Sequence, residues 1–398
     1  MAKDTGMKVL PLENIEFKVN ELSIPRLDKD HSVIIDWLKN GFECDYVNLG
    51  QQVQSLWSGY GEIVKFNLMN NKAGSGLVDS VVVKWVNPPS KQDHPRGWQS
   101  DLAHQRKLTS YQVEMNVYLM LNQVKKSTCR MEGVRVPHYF YGHYNETNQQ
   151  QLLILEDLDK SGFPLRHARL TPRQAEPCIL WLARFHAYFL RDTYVQKELP
   201  EHLELALSSD NTNRSVQGLS RPFGLWPIGS YWHLGTRPEE WQAMAESELK
   251  ERAEKLNDRL NSLRFQTLIH GDAKVANFCF SAPSSTGRVD VAALDFQYTG
   301  QGCGMKDFVY FLGSCLTETE CEKHWRDLLN LYFSSLIETL KALKTQIDIV
   351  ALESEWRFAF EFAWADFQRF LEGWSPDHKK NTAFSRALTA NALNKLDA

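Results

Sequence analysis

Several things are scarce in this chain, and each scarcity removes a class of protein. No stretch of its 398 residues approaches the roughly 20 uninterrupted apolar residues that a membrane-spanning helix needs. The opening "MAKDTGMKVLPLENIEFKV" has no continuous apolar core of the kind a secretory signal carries. Positive charge is not in excess: the formal net charge is -4, which argues against a surface built for nucleic acid. The 7 cysteines are scattered, odd in number and without a CxxC pair. They read as reduced thiols of a cytoplasmic protein, not as a disulfide framework or zinc site. Low-complexity tracts and internal repeats are also missing. A glycine-rich GxGxxG loop is absent; "WSGYGEI" (57–63) is the nearest approach.

What the chain does have is a change of pattern partway along. Strands are expected at 47–56, 62–69, 79–86, 136–144 and 151–157, with one helix over 105–122 where apolar residues recur at helical spacing. "NNKAGSG" (70–76) reads as a turn and "NPPSKQDHPRGW" (87–98) as a Pro- and charge-rich loop. Long helices follow: 170–193, opened by Thr171 and Pro172; 239–262; 317–344, opened by the capping box of Thr317 and Glu320; and two more around 350–373 and 378–396. Strand-rich first and helix-rich second, the layout is α+β, with one lobe at 1–157 and another at 158–398.

Between the helices lies "LIHGDAKVANFCF" (268–280), where His270, Asp272, Lys274 and Asn277 interrupt an apolar run. Burying such groups unpaired costs several kcal/mol each, so they satisfy one another or hold a ligand. Further on, "VAALDFQ" puts Asp295 at the end of an apolar strand. One neutral oxygen ligand, Asn277, and one carboxylate, Asp295, suit Mg²⁺, which keeps several waters and takes few protein carboxylates beside phosphate oxygens. A second carboxylate, Asp272, five residues before the asparagine, can orient a hydroxyl nucleophile for phosphoryl transfer.

These residues resemble the H-x-D-x-x-x-x-N loop and following D-F-G of the protein-kinase-like phosphotransferases. The HGD opening is similar to aminoglycoside and choline kinase-like enzymes. "SYQVEMNVYLML", "LILEDL", "LDFQYTGQG" and "DFVYFLG" resemble the ecdysteroid-kinase-like branch, over roughly 45 to 375. The resemblance implies a bilobal protein-kinase-like fold: an N-terminal antiparallel sheet with one helix and a larger, mainly helical C-terminal lobe. It implies an ATP- and Mg²⁺-dependent transfer of the γ-phosphate to a hydroxyl of a small-molecule alcohol or aminoalcohol. Lys84, in "VVVKWV", would grip the α/β-phosphates and Glu114 would orient it; Ser58, Gly59 and Gly61 would offer backbone N–H groups. The backbone from Glu156 through Asp157 to Leu158 would meet the adenine edge. Asp272 would orient or deprotonate the acceptor, Lys274 would neutralise the transferring phosphate, and Asn277 and Asp295 would hold metal. Asp307 would be a structural acid tying the metal loop to a helix. His270 and His186 read as packed, hydrogen-bonded core histidines.

Gln297 stands where protein kinases have the DFG glycine, and no APE-like segment follows. Both departures favour a small-molecule enzyme over a regulated protein kinase. A pseudokinase with the fold and no turnover is the rival from another class, and choline- or ethanolamine-type activity is the narrower alternative. The aromatic segments 220–235 and 362–374 are the expected acceptor walls. Trp364 and Phe367 with Asp366 could cage a cationic head group, but an apolar helical stripe reads more readily as core, and a flat sterol or terpenoid alcohol is as compatible as a cation. A monomer or weak dimer is expected.

Overall fold

The computed structural model describes residues 15, 17–18, 31–70, 78–89, 101–126, 131–193 and 224–397. The 87–98 loop beyond residue 89, the turn at 71–77 and the first four residues of the 220–235 segment lie outside them. The chain divides into two compact units, Met1–Leu119 with Pro137–Pro164, and Met120–Val136 with Leu165–Ala398.

The first unit is built on an antiparallel sheet: β1 (Tyr46–Ser55), β2 (Gly61–Met69), β3 (Ser80–Val86), β4 (Tyr139–Tyr144) and β5 (Gln151–Glu156), in the order β1-β2-β3-β5-β4. The order explains the composition. β3 and β5 are flanked on both sides, and their runs "SVVVKWV" and "QLLILE" are almost wholly buried. β1 is an edge, and most of its residues face solvent. Val64, Phe66, Val81, Val83, Leu152 and Ile154 form the centre of the core. Register places Lys84 opposite Ile63 on β2 and Leu153 on β5, in the middle of this apolar sheet. Helix α1 (Ser32–Gly41), not expected from the sequence, buries Ile34 and Leu38 against the same core. It is only 10 residues long, near the lower limit at which helical periodicity can be read. Helix α2 (Asp101–Lys126) spans and exceeds the expected 105–122.

Gly61 begins β2 with φ +132, and a Cβ there would lie 2.0 Å from the Trp85 carbonyl oxygen. The close approach of β3 therefore dictates this glycine. Gly59 has φ +72 but open space around it. Gly61→Ala is expected to destabilise the protein by about 2–3 kcal/mol, from backbone strain plus strand displacement. Gly59→Ala should cost only the left-handed backbone term of about 1 kcal/mol. Urea midpoints of the two variants check the contrast; equal shifts would refute it.

The second unit is mainly helical, with α3 (Pro172–Tyr188), α4 (Pro238–Gln242), α5 (Glu248–Glu251), α6 (Ala253–Asn261), α7 (Met305–Cys315), α8 (Glu318–Ala342), α9 (Ile349–Trp374) and α10 (Ala383–Lys395). Thr171 and Thr317 close full capping boxes with Gln174 and Glu320. The helix expected over 239–262 is instead three short ones. Ser247 adopts extended backbone and its side chain accepts from the Lys250 N–H, so a local serine cap restarts the helix where amphipathic spacing alone predicts continuity. Short strands β6 (Arg191–Asp192), β7 (Phe265–Ile269), β8 (Phe278–Phe280), β9 (Val291–Ala293) and β10 (Gly300–Gly302) frame the polar motif: β7 leads into it, and β8 pairs with β9 just beyond. Among the described residues no helix is long and apolar enough to cross a membrane, and six cysteines are free and buried.

Candidate active site

In the first unit, β3 and α2 bring Lys84 and Glu114 together. The ammonium lies 2.5 Å from the Glu114 carboxylate, with both side chains nearly sealed from solvent, and 5.1 Å from the Tyr111 ring centroid. A buried pair of this kind adds little net stability against a hydrophobic substitute, so its retention needs another reason. Around the short turn before β2, Ser58 has φ 58 and its hydroxyl accepts from Lys107 at 3.0 Å. The Gly59 N–H is donated to the Leu56 carbonyl at 3.3 Å. The Tyr60 hydroxyl pairs with His104. The turn is thus pinned to the first part of α2.

After β5 the chain turns sharply. The Glu156 N–H donates to His138 O at 3.0 Å, and its carboxylate accepts the His138 N–H at 2.8 Å. Asp157 accepts from Ser80 at 2.8 Å and Lys65 at 2.9 Å. Leu158 accepts twice through its carbonyl, from Ser161 and Phe163. No described residue accepts the Leu158 N–H. The side chains of Glu156 and Asp157 are therefore engaged in shaping this turn, whereas Leu158 keeps a donor available.

In the second unit, four residues read from the motif converge on one loop. Lys274 Nζ lies 2.7 Å from Asp272 Oδ2. Asn277 donates its amide to the Asp272 carbonyl at 2.8 Å and to Oδ2 at 3.2 Å, which leaves the Asn277 amide oxygen as the atom a metal could take. Asp272 is 3 % exposed, and its other oxygen, Oδ1, is enclosed without a hydrogen-bond partner among the described residues. Asp295 follows β9 with φ +67, a left-handed conformation uncommon for a residue with a Cβ; such strain persists where surroundings over-determine it. Burial pushes the Lys274 ammonium down, but Asp272 and Asp295 more than offset this and hold it above the ordinary lysine range.

The loop is held from behind. His270 is fully buried and its Nε2 meets the Leu294 carbonyl at 3.0 Å, linking the Asp272 loop to the chain just before Asp295. Asp307, on α7, accepts the His270 N–H at 2.6 Å and the Gly271 N–H at 2.9 Å. It therefore ties to α7 the loop that carries Asp272 and the expected metal ligand Asn277. His186 sits behind it, with one ring nitrogen 3.1 Å from Asp307 and the other 2.7 Å from the Tyr332 hydroxyl. It is a satisfied core histidine.

The segments expected to wall the acceptor do pack together. Trp232, Tyr310, Phe367, Phe370 and Leu371 form one cluster. Trp364 is buried against Phe360 and Phe384, and Asp366 is neutralised by Arg369 at 2.9 Å and Lys306 at 3.6 Å. Those aromatics are core, and Asp366 has no charge to spare for a cationic guest. Beside Asp272 stand two residues the sequence did not single out. Burial, reinforced by the Asp272 carboxylate, drives the Tyr310 hydroxyl well above the ordinary phenol range. Lys380, between α9 and α10, has its ammonium 5.5 Å from the Tyr310 ring centroid, within the field of Asp272 and Lys274. Tyr310 is hidden inside "DFVYFLG" and Lys380 inside "DHKKN"; neither has a spacing signal.

The Asn277 amide oxygen and the Asp295 carboxylate are hard oxygen donors of the kind that suits Mg²⁺ completed by phosphate and water. Among the described residues no group of three or more His, Cys, Asp or Glu side chains could hold a metal ion.

Several solved structures of small-molecule kinases are among those to which the chain is similar. A microcompartment-associated aminopropanol kinase shares 13% identity over 88% of this chain and 89% of its own, with TM-score 0.41. The Plasmodium vivax ethanolamine kinase shares 11% over 87% and 81%, TM-score 0.38. Aminoglycoside 2'-phosphotransferase-IIIa, solved with GDP, shares 14% over 86% and 93%, TM-score 0.40. More specifically, residues 91–345 match the model of the ecdysteroid kinase-like family, and the chain belongs to it. No curated protein matches the chain.

Proposed function

We propose that the protein is an ATP- and Mg²⁺-dependent phosphotransferase that moves the γ-phosphate to a hydroxyl of a small molecule. The observation that carries this reading is the Asp272 carboxylate, whose Oδ2 is fixed by Lys274 and Asn277 while Oδ1, enclosed beside the Tyr310 hydroxyl, accepts no hydrogen bond of ordinary geometry among the described residues. A buried acceptor so poorly served is costly, and a substrate hydroxyl would supply a well-placed donor. The acceptor oxygen bonds to the γ-phosphorus as the bond from phosphorus to the β,γ-bridging oxygen breaks. ADP leaves, and Asp272 takes the hydroxyl proton. Lys274 supplies positive charge beside the transferring group. Lys84, oriented by Glu114, holds the nucleotide phosphates, Ser58, Gly59 and Gly61 border them, and the Glu156–Leu158 backbone meets the base. Asn277 and Asp295 would hold Mg²⁺, which would screen the phosphate oxygens and the charge that develops on them. Membership of the ecdysteroid kinase-like family supports the reaction class.

The deciding experiment is ATP consumption with Mg²⁺ across aminoalcohols, aminoglycosides, sugars and steroid or terpenoid alcohols. Acceptor-dependent ADP release supports the proposal. Silence across the panel, with Mg-ATP still raising the melting temperature, would replace it with the pseudokinase reading. For the metal assignment, Asp295→Asn is expected to abolish the extra thermal stabilisation that Mg²⁺ adds to ATP, while ATP alone protects as before. An unchanged Mg²⁺ increment would remove Asp295 from the metal site.

A further inference from the structure

Most cations near Asp272 have an anion of their own. Lys274 pairs with Asp272, Arg237 with Glu240 at 2.7 Å, and Lys306 and Arg369 share Asp366. Lys380 differs. Its side chain is half-buried and, among the described residues, accepts no ion pair; its ammonium rests 5.5 Å from the Tyr310 ring centroid and 5.6 Å from that of Phe367. Tyr310 is the residue whose hydroxyl stands against Asp272. The loop that carries Lys380 is fixed: its N–H meets His378 Nδ1 at 3.2 Å, its carbonyl accepts from Ser385 at 3.1 Å, and Asn381 clamps the Pro376 carbonyl at 2.5 Å. A long, flexible side chain would ordinarily turn a bare ammonium out to water; here a pinned loop lays it on two aromatic faces beside the reactive carboxylate.

We propose that Lys380 is an acceptor-binding residue, which donates to a neutral or anionic oxygen of the substrate while Asp272 engages the reacting hydroxyl, and which selects against acceptors bearing an ammonium group. The assignment rests on the phosphotransferase reading for the identity of the bound molecule as an acceptor. Charge supports the selectivity, because Lys274 and Arg237 are matched by Asp272 and Glu240, which leaves Lys380 as a cation without an ion-pair partner among the described residues. Burial pulls Lys380 down to about 8; Lys379 and Lys274 add to the fall and Cys315 and Asp272 oppose it. A group titrating there donates as an ammonium at neutral pH and loses that charge as pH rises.

The test separates binding from turnover. Full-length wild type, Lys380→Met and Lys380→Arg are titrated calorimetrically, in Mg²⁺ and a non-hydrolysable ATP analogue, with ecdysone, glucose, glycerol 3-phosphate and ethanolamine. Expected is binding of at least one of the first three, weakened at least tenfold by Lys380→Met and less than threefold by Lys380→Arg, with the wild-type affinity falling above pH 8. Ethanolamine should bind more weakly than the neutral or anionic probe. Equal affinity in wild type and Lys380→Met, stronger binding of ethanolamine, or no binding of any neutral or anionic probe would each overturn the assignment. Binding with the expected Lys380 dependence but no transfer from ATP would retain the ligand site and defeat the phosphotransferase reading. Unaltered melting temperature and Mg-nucleotide affinity in Lys380→Met show that the variant is folded.

Discussion

Asp272→Asn is expected to lower acceptor-dependent turnover by about 10²–10⁴-fold, the range that loss of a positioned general base produces. It should do so without unfolding the protein. The substitution keeps the shape of the side chain in a site 3 % exposed, and Asn can still accept from Lys274 and Asn277 through one oxygen. What changes is the group at the Oδ1 position, which accepts no hydrogen bond of ordinary geometry among the described residues and has only the Tyr310 hydroxyl standing near the carboxylate. An amide there can neither take the hydroxyl proton nor attract it electrostatically. The Mg-ATP thermal shift should remain, since Asp272 is not assigned to the nucleotide. Initial rates, the Michaelis constant for ATP and a melting curve on one preparation check the three parts together. Turnover within threefold of wild type would take Asp272 out of the reaction. Loss of the ATP shift along with the activity would mean instead that the loop had collapsed.

Much of this arrangement was legible in the sequence, for reasons that differ by residue. Lys84 could be placed because an ammonium in the middle of "VVVKWV" is anomalous unless paired, and Glu114 is the carboxylate inside the apolar face of the next helix; the structure joins them at 2.5 Å. Asp272, Lys274 and Asn277 are within six positions, so short-range geometry alone brings them together. The helix caps at Thr171 and Thr317 were readable because a capping box is local. Long-range relations were not. Nothing in the sequence shows that Tyr310 would stand beside Asp272, or that Lys380 would be returned to the same place from a loop more than a hundred residues later. A tyrosine in an apolar helix and a lysine in a polar loop are ordinary enough to raise no signal. The choice between core and cage for Trp364, Phe367 and Asp366, which the sequence tilts toward core, is settled by a long-range relation too. Helical spacing brings the three onto adjacent turns, but Arg369, three residues on, and Lys306, sixty residues before, consume the carboxylate. The break of the 239–262 helix was written in Ser247, whose capping potential is visible, but amphipathic spacing on both sides outweighed it.

Asp307 carries the second large expectation, and its effect should fall on stability and activity together. The carboxylate is fully buried and serves three donors: the His270 N–H at 2.6 Å, the Gly271 N–H at 2.9 Å and the His186 ring at 3.1 Å. Asp307→Ala would leave two backbone N–H groups and a ring nitrogen unsatisfied in a dry interior. At about 1–3 kcal/mol for each orphaned group, with relaxation recovering part, the loss should be about 3–5 kcal/mol, the range found when one member of a buried polar pair is removed. Asp307→Asn should fall between that and wild type, since one oxygen can accept from one N–H while the amide nitrogen faces the other. Gly271 amplifies the effect: with φ +78 and a Cβ position 2.0 Å from the Tyr298 carbonyl oxygen, the turn leading into Asp272 has a single tight path. Once its two N–H anchors are gone, Asp272 loses the position that turnover requires. Urea denaturation and initial rates should therefore order wild type, Asp307→Asn and Asp307→Ala identically, whereas Asp272→Asn moves the rate and leaves the urea midpoint nearly in place. If Asp307→Ala kept the wild-type midpoint but lost activity, Asp307 would be acting on the substrate, metal or nucleotide directly, and its place as the anchor of the loop would have to be given up.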